Sequence, residues 1–149
     1  MHWNKDRSAA LSQMCVALFA LCLLALDIGA YWIARWFVDN RFVRWQSGIL
    51  LTGSIYAGSI FGWFCLCALW RLLGNIRRGE VFVSANVRLL RLVSWCCVWV
   101  AAVCLLSAIY YLPFAFIAVA AGFMALVVRI VKNAFQQAIA MKDELDLTV

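Results

Sequence analysis

Asp27 is the one acidic residue within the long apolar stretches of this sequence, and it is the first side chain to weigh for chemistry. A carboxyl group there can pair with polar neighbours, hold a ligand or proton, or open into an outer vestibule. Intramembrane acids are costly and often functional. If the first apolar run is centred near residue 20, Asp27 lies about 10 Å beyond the midplane. Thr52 and Tyr56 of the next run are the polar groups expected within reach.

Two other sets of residues compete for attention. Arg71, Asn75 and Arg78 share a helical face, and with Arg77, Arg88 and Arg91 they make the densest basic cluster in the chain. Such a cluster suits lipid phosphates or an acidic partner, including the chain's own Asp143, Glu144 and Asp146. Phe82, Phe135 and Ile139 offer apolar anchors beside it. The seven cysteines all fall in apolar runs, an odd count without C-x-x-C spacing. That excludes a disulfide framework and reads as packing volume. Cys15, Cys65, Cys67, Cys96 and Cys97 would share a depth, but no His, Asp or Glu joins them, so no metal is expected. With no nucleophile–base pair, phosphate-binding glycine loop or ligand set, the chain reads as a non-enzyme without a cofactor.

The elements that position these residues are four apolar runs of about 9–34, 48–73, 89–111 and 114–131. Each approaches or exceeds the roughly 20 residues that cross a bilayer core as a helix. In hydrocarbon the backbone must pair internally, which selects helices. Hydrophobic residues make up 67% of the chain, well above the roughly 45–50% apolar content of soluble domains. The fold class is therefore all-α and integral to the membrane: one four-helix domain over 1–149, with a cytoplasmic amphipathic tail over about 132–149. Lys5 and Arg7 precede a run too long for a cleaved leader, so an uncleaved first span is expected. Lys142-Asp-Glu-Leu145 is not terminal and carries no retrieval meaning.

Charge sets the orientation. Ten Lys and Arg fall on the side of the termini and the 74–88 loop, against Arg35, Arg41 and Arg44 on the other. The bias places both termini in the cytoplasm. It also accounts for the net charge of +6 without nucleic acid. Tyr31, Trp32, Trp36, Trp45, Tyr110 and Tyr111 would form the outer aromatic belt, and Trp3, Trp70 and Trp95 the inner one. Pro113 should keep Leu112 out of helical conformation and start the last helix. Gly79 reads as a helix stop and Ser84 as an N-cap, with Val81, Phe82 and Val83 tucked beneath the bundle. Ser54, Gly58 and Gly62 recur every four residues and would admit a close helix, within the chain or in a homo-oligomer.

The loop pattern Asn75-Ile-x-x-Gly79-x-Val-Phe82-x-x-x-Asn86-x-x-x-Leu90-Arg91, with Asp146-Leu-Thr-Val149 at the end, resembles the YoaS-like family of bacterial four-helix membrane proteins of unknown function. The resemblance spans essentially the whole chain and implies a bacterial cytoplasmic (inner) membrane. It further implies a neighbouring helix-turn-helix DNA-binding protein, and hence regulation by sequestration or signalling. The leading expectation is a membrane regulator whose arginine loop and C-terminal helix hold a cytosolic partner of that kind. The rivals are a small transporter or channel built on Asp27 and a structural subunit of a membrane complex.

Overall fold

The computed structural model describes residues 3–41 and 45–148, with side chains from residue 10 to 40 and from 48 to 148. Expectations for Trp3, Lys5, Arg7, Arg41, Arg44, Trp45 and Val149 concern side chains outside that description. Four helices account for nearly all of it: α1 (Trp3–Arg41), α2 (Trp45–Arg77), α3 (Ser84–Ser107) and α4 (Pro113–Leu147). All four are long and apolar enough to cross a membrane. The protein is an all-α, multi-pass membrane protein.

The helices outrun the hydrophobic stretches. α1 has 39 residues and α4 has 35, or about 58 Å and 52 Å against a bilayer core of roughly 30 Å. α1 continues past Ala34 through Arg35 and Asp39 to Arg41, and α2 begins before Gly48. Continuing the helix keeps each backbone group paired through the headgroup region. α4 likewise carries the tail beyond residue 131 as one uninterrupted helix.

The helices pack in chain order, α1 on α2, α2 on α3, α3 on α4, and consecutive helices run antiparallel. Among the described residues the α1 and α4 backbones do not approach, so the bundle is open on that side. α3 is the central helix with the largest buried stripe: Asn86, Val87, Leu90, Val93, Ser94 and Cys96. α1 shows the opposite pattern, with Leu18, Phe19, Ile28 and Trp32 turned outward. In a soluble protein those would be liabilities, but here lipid is their solvent.

Small residues set the closest approaches. Ala118 and Ala125, seven apart on α4, are buried under α3, and the Ser94 hydroxyl donates to the Ala125 carbonyl at 3.1 Å. The expected stripe of Ser54, Gly58 and Gly62 is divided among three environments. A Cβ at Gly62 would sit 3.1 Å from Leu23 of α1, Gly58 faces open space, and Ser54 bonds toward α3. Four-residue steps advance about 40° each around the helix, so the three positions drift across two interfaces. The tighter contact is at Gly48, where a Cβ would meet Val38 at 2.7 Å.

The turn between α3 and α4 departs in detail from expectation. α3 ends at Ser107, short of Tyr111, because the Tyr110 and Tyr111 amides both fold back onto the Ser107 carbonyl. Leu112 is helical (φ −51°, ψ −35°), contrary to the restriction expected before Pro113. The bonds from Phe114 to Tyr111 and from Ala115 to Leu112 close tight turns that require it. Pro113 does open the helix. Gly79 takes φ +82° after α2, as its position as a helix stop demands.

Candidate functional site

The end of the bundle that carries both termini is organised by one residue, Asn86, which is fully buried. Its amide nitrogen donates to the carbonyls of Glu80 (2.7 Å) and Val81 (2.8 Å). Its amide oxygen accepts from Asn75 Nδ2 at 2.8 Å. One side chain thus ties α2, the loop and the start of α3 together. Ser84 makes no capping bond, since the residue before the helix is Val83 and Asn86 serves the loop instead. The site needs two donors and one acceptor, which an amide supplies and a hydroxyl, with its single O–H, does not. Phe82 reaches α4, its ring 5.7 Å from that of Phe135, although about half of it stays exposed.

This loop divides the arginines. Arg71, Arg78 and Arg88 line a groove of about 620 Å³ between α2 and α3, together with Trp70, Asn75 and Leu92. Arg88 and Arg91 line a second groove of about 610 Å³ between α3 and α4, opposite Ile139, Ala140 and Asp143. Arg77 turns the other way and donates to Gln13 of α1 at 2.9 Å. Among the described residues Arg71, Arg78, Arg88 and Arg91 have no ion-pair partner. Asp143 shares a groove with two of them without pairing, and Glu144 and Asp146 are exposed. The Glu144 carbonyl accepts from Thr148 at the helix end. Five arginines that read as one surface are therefore two grooves and a strut.

Asp27 sits in the α1–α2 interface. Its Oδ2 accepts from the Trp63 indole N–H at 2.9 Å. The Tyr56 hydroxyl donates to the Asp27 backbone carbonyl at 3.2 Å, and Thr52 bonds instead to the Gly48 carbonyl of its own helix. The expected partners are thus half replaced. Trp63 lies seven residues beyond Tyr56 on the same face of α2, and that spacing was the signal that could have found it. Among the described residues Asp27 Oδ1 and the Ser59 hydroxyl are buried with no hydrogen-bond partner, and Ser59 lies between Tyr56 and Trp63 on that face.

At the far end Ser54, Ser107 and Tyr110 form a hydroxyl node, with Ser107 to Ser54 at 2.8 Å and Ser54 to Tyr110 at 2.7 Å. Tyr110 is thus tied into the α2–α3 interface, and Tyr111 packs edge-on to Phe37 of α1 at 5.2 Å, while Tyr31, Trp32 and Trp36 are exposed as belt residues are. Trp70 and Trp95 are exposed near the opposite end. Cys65 and Cys97 face one another across α2 and α3 beside Cys96. Among the described residues no three His, Cys, Asp or Glu converge as a metal site would require.

Four spanning helices joined by short turns, with a basic, grooved end and an extended last helix, define a small multi-pass membrane protein. The chain belongs to the family described as a protein of unknown function, DUF2975, whose model matches residues 8–149. No curated protein and no solved structure matches the chain.

Proposed function

We propose that the protein is a non-enzymatic regulatory or interaction protein of the bacterial inner membrane, with both termini cytoplasmic, of the YoaS-like kind. Its basic end binds a cytosolic partner, such as a helix-turn-helix transcription regulator, through an acidic and apolar helix. The observation that carries this reading is the α3–α4 groove. Among the described residues Arg88 and Arg91, on one wall, have no ion-pair partner, and Ile139 and Ala140, next to Asp143, supply apolar contact on the other. Charge of that kind guides an acidic partner in, and the apolar wall holds it. The extension of α4 past residue 131 supplies Ile139, Ala140 and Asp143 to that groove.

The test is capture from mild detergent combined with a transcriptional reporter. Wild type should retain a helix-turn-helix protein stoichiometrically. Deleting residues 142–149, or reversing Arg88 and Arg91 to Glu, should release it and change reporter output while insertion stays normal. Unchanged capture and output in both variants would remove the basis for this reading. Asp27 Oδ1, which has no hydrogen-bond partner among the described residues, favours a second reading, a transporter or channel acting as an oligomer. A transport signal abolished by Asp27→Asn in a fully stable protein would favour it.

A further inference from the structure

A third groove lies against Trp70 and Arg71, on the membrane side of the one between α2 and α3. It occupies about 600 Å³ between α1 and α2, and its walls include Ala17, Ala20, Leu24, Trp63 and Leu66. Trp70 and Arg71 line this groove and also the basic groove between α2 and α3. The two therefore meet on one exposed ridge of α2. Above the junction are Arg71, Arg78 and Arg88, none with an acidic partner among the described residues. Below it the lining is almost wholly apolar for the eight residues from Arg71 back to Trp63, about 12 Å along the helix.

We propose that this junction is a binding site for one anionic phospholipid of the leaflet at the basic end. The phosphate is held by Arg71, with Arg78 and Arg88 beside it, and an acyl chain lies in the α1–α2 groove over Ala17 and Ala20. Charge complementarity selects the occupant. A zwitterionic lipid brings its own cation to a site that already holds three, whereas an anionic headgroup offsets part of their charge and adds none. The apolar groove selects a lipid over a free phosphate, because only a tethered chain fills it. Trp70 stands at the boundary, where an indole is favoured. Small side chains at Ala17 and Ala20 leave the chain its room, and the absence of an α4 backbone beside α1 leaves the groove open to the bilayer. The site shares Arg88 with the α3–α4 groove proposed for partner docking, but Arg71, Ala17 and Ala20, on which the test turns, do not line that groove.

The experiment is native mass spectrometry of the full chain released from bilayers of equal parts phosphatidylglycerol and phosphatidylethanolamine. Wild type should retain phosphatidylglycerol preferentially. Arg71→Gln should lower that preference about fivefold, the effect of one arginine at an anionic surface. Arg71→Lys should keep part of it, and Ala20→Trp should reduce retention of both lipids by filling the groove. Arg35→Gln, at the other end, should change nothing. Equal retention of the two lipids by wild type, or an unchanged preference in Arg71→Gln, would overturn the proposal. So would release of the lipid by soluble glycerol 3-phosphate, which would mark a free-phosphate site. Brominated-chain lipids give a readout that needs no variant to fold. Brominated phosphatidylglycerol should quench wild-type tryptophan fluorescence more than brominated phosphatidylethanolamine, and equal quenching counts against the site.

Discussion

Replacing Asn86 with alanine should be among the most damaging single changes at the basic end, and its cost can be worked from the bonds it removes. Three side-chain hydrogen bonds end on Asn86, to Glu80 O, Val81 O and Asn75 Nδ2. At about 1 kcal/mol net each, Asn86→Ala should cost about 3 kcal/mol. Asn75→Ala removes only the bond the two residues share, so it should cost about 1 kcal/mol. Because that bond is counted in both single variants, the double variant should cost about 3 rather than about 4 kcal/mol. The coupling of about 1 kcal/mol is the signature of direct contact. Reversible unfolding in mixed micelles at rising SDS fraction, followed by far-ultraviolet circular dichroism, gives all four stabilities. Additive single effects, or an Asn86→Ala cost no larger than that of Asn75→Ala, would refute the reasoning. The loop would then be held by backbone and lipid alone.

Gly48→Ala should destabilise by about 1–3 kcal/mol through contact with Val38, with Val38→Ala restoring much of the loss, and thermal unfolding in detergent reads both. Gly58→Ala meets nothing within 4 Å and should be neutral or stabilising by up to about 1 kcal/mol in the same assay. Asp27→Asn keeps an acceptor for Trp63 and should stay within about 1 kcal/mol of wild type, while Asp27→Leu strands the indole N–H and should cost about 1–3 kcal/mol more. A cysteine at position 40 of a cysteine-free variant should react with an impermeant maleimide in intact cells, and labelling only after permeabilisation would reverse the proposed orientation.

Much of the architecture was legible in the sequence because the bilayer leaves few choices. Runs of about 20 apolar residues must be helices, and Gly79 and Pro113 mark where two of them stop and start. Composition could not give the order and openness of the packing, since lipid and protein interior are equally apolar and exposed Leu18 reads like buried Leu90. The end of α3 at Ser107 was not legible because the Tyr110 and Tyr111 amides turn back onto its carbonyl, and the loop before Ser84 was not because it is tied by the buried Asn86 and its partner Asn75.

By itself the sequence determined that this is a four-span membrane protein with a basic end, because hydropathy and charge act through solvent and need no partner. The division of the arginines into two grooves and a strut was a tertiary decision, as were the pairing of Asp27 with Trp63 and the junction at Trp70 and Arg71. Each depends on how neighbouring helices are rotated about their axes. That rotation is fixed by where the smallest side chains allow two backbones to meet, at Gly48, Gly62, Ala118 and Ala125.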